Sequence, residues 1–254
     1  MKSLKESILS TTKVGKYDEW NTFKREHARP ADKVELGNII KNAIKLKGKN
    51  VDLNWIDVSG LTDLSFLFRE SQFNGDISKW NVSHVTNISY MFSYSPFNGD
   101  ISDWDVSNVE NMNCAFLRSK FNGDISKWDV SNVKTMRGTF YNSAFTGDIS
   151  KWDVGQVYDM SNLFQHTDFD GDISKWDVKR VVYMPFMFAD SKFNGDLSKW
   201  NVSMVEDMHG MFRHSMFNGD ISRWDVGRIK NMSEIFNNCP LKENPPEWYI
   251  NFDY

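Results

Sequence analysis

The chain is poor in the residues that usually announce chemistry. Two of its 254 residues are cysteine, Cys114 and Cys239. No Cys-x-x-Cys pair, phosphate loop or Ser–His–Asp order appears. The histidines His27, His84, His166, His209 and His214 keep no metal-ligand spacing and read as surface residues. These absences argue against an enzyme, and the residues call for no cofactor and no metal. No apolar run approaches the roughly 18 residues of a membrane helix. Met1–Ser10 lacks the apolar run of a secretory leader, and no nearby cysteine could carry a lipid. A cytoplasmic or virion-associated location is therefore expected.

Charge is present but divided. Residues 1–48 hold 11 Lys and Arg against 6 Asp and Glu, leaving 19 against 28 of the chain's 30 and 34. An acidic body argues against nucleic acid wrapped along it. The basic head reads as a solvated helix face or a contact for an acidic surface.

What the sequence has in abundance is period. Trp80, Trp104, Trp128, Trp152, Trp176, Trp200, Trp224 and Trp248 recur every 24 residues. A fixed period of this length means one small unit stacked on copies of itself. Full units open at Phe73, Phe97, Phe121, Phe145, Phe169, Phe193 and Phe217. A worn copy precedes them, with Ile56 in the Trp place, and Trp248 starts a truncated one that Pro245 and Pro246 interrupt. The organisation expected is a head at 1–48, a stack at 49–240 and a tail at 241–254.

Within a unit, Ile125, Trp128 and Val130 alternate with polar residues, as in a strand with one buried face. The Phe-Asn-Gly before them predicts a turn, with Gly123 free to take positive φ. Val133, Met136 and Phe140 predict a short helical or 3-10 return. The fold expected is a leucine-rich-repeat-like solenoid of parallel strands, rising about 4.8 Å per coil. Cys114 and Cys239, five coils or roughly 24 Å apart, should not bridge, since a disulfide needs Cα atoms within about 7 Å. Free thiols are compatible with a reducing compartment.

Leu36, Ile39, Ile40, Ala43 and Ile44 share one face of a helix over Lys33–Lys47, closed by Gly48. Such a helix would cover the open end of the first coil. Tyr17, Trp20 and Phe23 fit a second cap helix or a partner-binding arm. Trp248, Tyr249, Ile250 and Phe252 mark a C-terminal cap.

The Phe-Asn-Gly-Asp-Ile-Ser-Lys-Trp-Asp-Val-Ser-Asn-Val pattern followed by Met-x-x-x-Phe resembles the bacterial repeat family described as BspA-like. The likeness covers about residues 30–240. It implies a leucine-rich-repeat-like fold and, for many members, a surface protein used in adhesion. Such repeats also occur in viruses of bacteria.

The column Asp76, Asp100, Asp124, Asp148, Asp172, Asp196 and Asp220 reads as backbone-capping Asx turns. Calcium is the alternative, although one carboxylate per coil is few ligands for it. Lys79, Lys127, Lys151, Lys175, Lys199 and Arg223 are expected to pair across coils with the Asp/Asn column that starts at Asn81. Function should sit where copies differ. Tyr158, Val182, Tyr183, Phe186 and Met204 replace residues that are polar or small elsewhere, and they predict a partner-binding patch across neighbouring coils. Local repacking around Pro185 is the other reading. The function expected is a non-enzymatic protein-interaction or scaffold solenoid, in an assembly such as a bacteriophage virion. The alternative is a cell-surface adhesin binding host protein or glycan.

Overall fold

The structure, a computed structural model, describes residues 20–251. The expectations placed on Met1–Ser10, Tyr17 and Phe252 lie outside the described residues. Residues 20–26 are helical, and α1 spans Lys33–Lys47. Asp32 caps α1 by accepting from the Glu35 amide, while Glu35 reaches back to the Ala31 amide. Gly48 ends the helix at φ 89° with its N–H on the Ile44 carbonyl. Leu36, Ile39, Ile40 and Ala43 are buried in the same core as the repeats, and Lys33 reaches Asp63 and Ser65 of the first repeat.

Eight coils follow, numbered here from 49–72 (coil 1) through 73–96 (coil 2) to 217–240 (coil 8). Their apolar columns make one continuous core. Phe68, Phe92, Phe116, Phe140, Phe164, Phe188, Phe212 and Phe236 stack ring on ring, and each also faces the Phe or Trp that follows it in sequence. One coil exposes its apolar side; a neighbour above and below buries it.

The first half of each coil differs from the strand expected of it. Ile77, Trp80 and Val82 lie in successive tight turns, with Trp80 N–H on the Ile77 carbonyl and Val85 N–H on the Val82 carbonyl. Asp and Asn side chains hold these turns closed. Asp100 accepts from the Ser102 amide and Asp105 from the Ser107 amide, and the same bonds recur down the stack. Coils are tied here by side chains. Each indole of the 24-residue Trp column donates to a carbonyl 27 residues earlier, from Trp80 on Leu53 to Trp248 on Ile221. Asn74, Asn98 and Asn122 each accept from the amide 24 residues later.

The glycine of the Phe-Asn-Gly turn is required for a reason other than φ. Gly123 is not at positive φ; a Cβ there would lie 2.9 Å from the Phe121 ring folded over it.

Parallel pairing occurs in the second half, where a helix was expected. Single parallel bridges run Asp63, Asn87, Asn111, Thr135, Asp159, Tyr183, Asp207, Asn231. Beyond each bridge, alternate amides donate to the next coil: Leu64 to Asn87, Phe66 to Ser89, Phe68 to Met91 and Glu70 to Ser93. The alternation demands an unusual backbone. Two residues per return segment adopt positive φ, in the columns that begin at Phe66 and Glu70. Fourteen are not glycine; Gly138 and Gly210 fill the other two places. A left-handed non-glycine residue costs about 1–2 kcal/mol. In coils 1 to 7 the bond each makes to the next coil offsets that cost, and no β-branched residue occupies either column.

The tail closes the stack. A 3-10 turn at Pro240–Lys242 leads to α2, Glu247–Ile250, which opens on Pro246. Trp248 stacks on Trp224 at 6.3 Å and Tyr249 meets Phe236 edge-on, while Ile250 is exposed.

Candidate interaction face

The return segments build one face of the stack. Their apolar residues point inward, and residues at positive φ turn their side chains out. The columns starting at Phe66 and Glu70 therefore carry whatever the sequence puts there: Phe66, Tyr90, Cys114, Gly138, Asn162, Phe186, Gly210 and Glu234 in the first. The first half of each coil repeats nearly the same residues throughout.

Ring separations differ between the columns. Rings in one column of successive coils lie 4.8 Å apart at Phe66–Tyr90. The separation is 5.6 to 6.2 Å in the Phe68 column and 6.0 to 6.4 Å in the Phe73 column. Trp80–Trp104 and Trp224–Trp248 are 6.4 and 6.3 Å apart.

Of the five residues predicted as a patch, three are brought together. Val182 and Tyr183 both donate their amides to the Tyr158 carbonyl. Tyr158 and Tyr183 are 47% and 42% exposed, and Val182 is half-buried. Phe186 turns elsewhere. Its ring meets His209 edge-on at 4.6 Å and fills the space over Gly210, where a Cβ would lie 2.5 Å from it. His209, expected on the surface, is half-buried under Phe186 and hydrogen-bonds Ser233. Met204 is 39% exposed in the turn before the coil 7 return segment.

Pro185 leaves the register intact, with its carbonyl taking the Asn162 amide at 2.9 Å. Tyr183 and Pro185 are a matched pair. In most coils an Asp or Asn at the bridge accepts from the amide two residues on, as Asp159 does from Ser161 and Asp207 from His209. Proline has no such amide, so its coil dispenses with the acceptor, and the position is open to a tyrosine.

A second cluster, in coils 1 to 4, was not anticipated. Phe66 and Tyr90 stack within 7° of parallel, with Arg69 over both. The Arg118 guanidinium sits 5.5 Å from the Tyr94 ring and 5.9 Å from the Tyr141 ring. A hollow of about 520 Å³ beside them is lined by Tyr90, Asn113, Cys114, Leu117, Arg137 and Tyr141 among others. The Cys114 thiol beside Tyr90 holds its phenol above the usual range, and burial pushes the Cys114 thiol up in turn. The sequence signal for this cluster is variability itself: aromatics here replace no consistent polar residue, so a search for apolar-for-polar exchange passes over them.

The acidic column caps backbone. Each carboxyl from Asp76 to Asp220 accepts from the serine two residues on, and those bonds hold it below the usual carboxylate range. Among the described residues no group of three or more His, Cys, Asp or Glu could hold a metal. The lysine column does not pair as expected. Among the described residues none of Lys79, Lys127, Lys151, Lys175, Lys199 and Arg223 comes within ion-pair distance of an acid. Cross-coil pairs form instead on the return segments, as Lys134–Glu110 and Lys230–Glu206. Both cysteines are free.

In-register copies with one constant and one varied side define a tandem-repeat protein. The chain belongs to the family described as "Mycoplasma protein of unknown function, DUF285", which matches residues 35–147 and again 138–248. The BspA-like assignment is finer than this match carries. No curated protein and no solved structure matches the chain. Among the described residues, no helix is long and apolar enough to cross a membrane.

Proposed function

We propose that the chain is a non-enzymatic, leucine-rich-repeat-like solenoid whose return face binds a protein partner. The observation that carries this reading is the division of each coil. Invariant side chains close turns and tie coils together, while variable, outward-facing ones collect on a single face rich in Tyr, Phe and Arg. Those residue types dominate binding energy at protein interfaces. Variation spread over a face also fits recognition better than catalysis, because no two coils repeat a constellation on it.

The test is co-purification from native source with the wild-type chain and with Tyr158→Ser combined with Tyr183→Ser. Loss of a stoichiometric protein partner from the variant is expected, and full retention overturns the assignment of that patch. A role in an assembly such as a virion predicts that the partner is a component of the same particle. The BspA-like resemblance supports a second reading, an adhesin for host protein or glycan. That reading predicts accessibility to protease on intact cells.

A further inference from the structure

The return face is electrically ordered along its length. In coils 1 to 4 its segments 62–72, 86–96, 110–120 and 134–144 hold five cations against three acids. In coils 5 to 8 the equivalent segments hold three against six. Pairing sharpens the contrast. Asp63, Glu70 and Glu110 are taken by Lys33, Arg69 and Lys134. Among the described residues, Arg118, Lys120 and Arg137 then have no acid within ion-pair distance. At the other end Asp159 and Asp207 have no cation partner among the described residues, and Asp190 has only His166, at 3.6 Å.

The shape selects a slender ligand. A second hollow of about 480 Å³, lined by Arg118, His166, Asp168 and Asp190 among others, adjoins the first across the Tyr141 ring. Together they form a track that runs obliquely over coils 2 to 6, from Tyr90 to Asp190. The track also offers Asn113 beside Arg137, and Asn162 with Gln165, whose side chains hydrogen-bond each other at 2.6 Å. Side-chain amides carry both donors and acceptors, as peptide groups do. A uniform polyanion would meet Arg118 and Arg137 but be repelled by the acids of coils 5 to 8.

We propose that this face takes an extended peptide segment of mixed charge. Its acidic stretch lies over Arg118 and Arg137, and its basic stretch lies toward Asp159, Asp190 and Asp207. The proposal rests on reading the return face as a protein-binding one and names the chemistry of the partner. Arg118 in coil 3 and Asp207 in coil 7 are four coil spacings apart, about 19 Å, which an extended octapeptide of about 26 Å covers.

The probe is therefore an octapeptide with a glutamate block at one end, tyrosines in the middle and a lysine block at the other, followed by fluorescence anisotropy. Affinity about tenfold above that of an alternating-charge peptide of the same composition is expected, a difference of about 1.4 kcal/mol. Arg118→Gln with Arg137→Gln should abolish the preference without moving the thermal melt, and Arg118→Glu with Arg137→Glu should reverse the response to the glutamate block. Cys114 supplies a reporter of direction. A maleimide on the acidic end should label Cys114, while one on the basic end should not, and buried Cys239 serves as the internal control.

Equal affinity for block and alternating peptides, equal labelling from both ends, or tighter binding of heparin than of any peptide would each overturn the proposal. If those failures occur while Tyr158→Ser with Tyr183→Ser still loses the native partner, the ordering of charge is wrong and the interaction reading stands.

Discussion

The two halves of a coil solve the stacking problem differently. In the Trp half, side chains join neighbours: the indole of Trp152 reaches the Ile125 carbonyl, and Asn98 holds the Asn122 amide. Those residues cannot change without breaking a bond between coils, so they recur. In the return half the backbone itself makes the connection, through bonds such as Tyr94 to Leu117 and Arg118 to Tyr141. A backbone bond tolerates any side chain that accepts the φ, so the outward columns are free to vary. Variability on this face is thus a consequence of which atoms do the tying.

The comparison yields a ranked set of outcomes. The shared core should be the most sensitive. Phe140 is fully buried between Phe116 and Phe164, and Phe140→Ala should destabilise the fold by about 3–5 kcal/mol in denaturant titrations. Next comes the side-chain tie. Trp152→Phe keeps a ring but removes the indole bond between coils, leaving the Ile125 carbonyl with the Trp128 amide alone, and it thins the core, for a loss of about 1–3 kcal/mol by the same method.

Smaller again is the matched pair of coil 6. Tyr183→Asn alone adds an acceptor without a donor, and Pro185→Ser alone adds a donor without an acceptor. The double variant restores the turn of the other coils. A double-mutant cycle should therefore show favourable coupling of about 0.5–1.5 kcal/mol. Additive effects would show that Tyr183 and Pro185 are unrelated substitutions.

The smallest effect at neutral pH belongs to the acidic column. Asp148→Asn keeps the acceptor for Ser150, as Asn81 and Asn201 do for their serines, so the melt at pH 7 should not move. Acid separates the two proteins. The folded state holds the Asp148 carboxyl below its ordinary value of 3.8, so its contribution is present above that pH. It is lost as pH falls through the lowered value. The wild-type melt should decline below about pH 3.8 more steeply than that of the variant.

Much of this organisation was legible from residues alone. The Trp period set the register, and the 3.6-residue apolar spacing of Leu36, Ile39, Ile40 and Ala43 located α1 between Asp32 and Gly48. The path of each coil was not legible. Ile-x-x-Trp-x-Val looks like a strand because its buried residues alternate, yet the Asp and Asn between them close turns. Positive φ at Phe66, Tyr90 or Arg118 has no sequence signature, since these types seldom adopt it. One of the five predicted patch residues departs for the same reason: Phe186 is apolar in a variable column, but a glycine at 210 lets its ring lie over the next coil. The Phe66–Tyr141 cluster escaped because ring and cation–ring contacts across four coils depend on that same backbone.

The central claim is that the Trp half and the core hold the fold while the return face is free for binding. The most direct measurement is the thermal melt of a chain carrying Tyr158→Ser, Tyr183→Ser and Met204→Ser together. A midpoint within about 2 °C of the wild type is predicted, because exposed side chains on this face add little to a fold tied by its backbone. A fall of more than about 5 °C would mean that these residues are part of the packing, and it would contradict the division on which the functional reading rests.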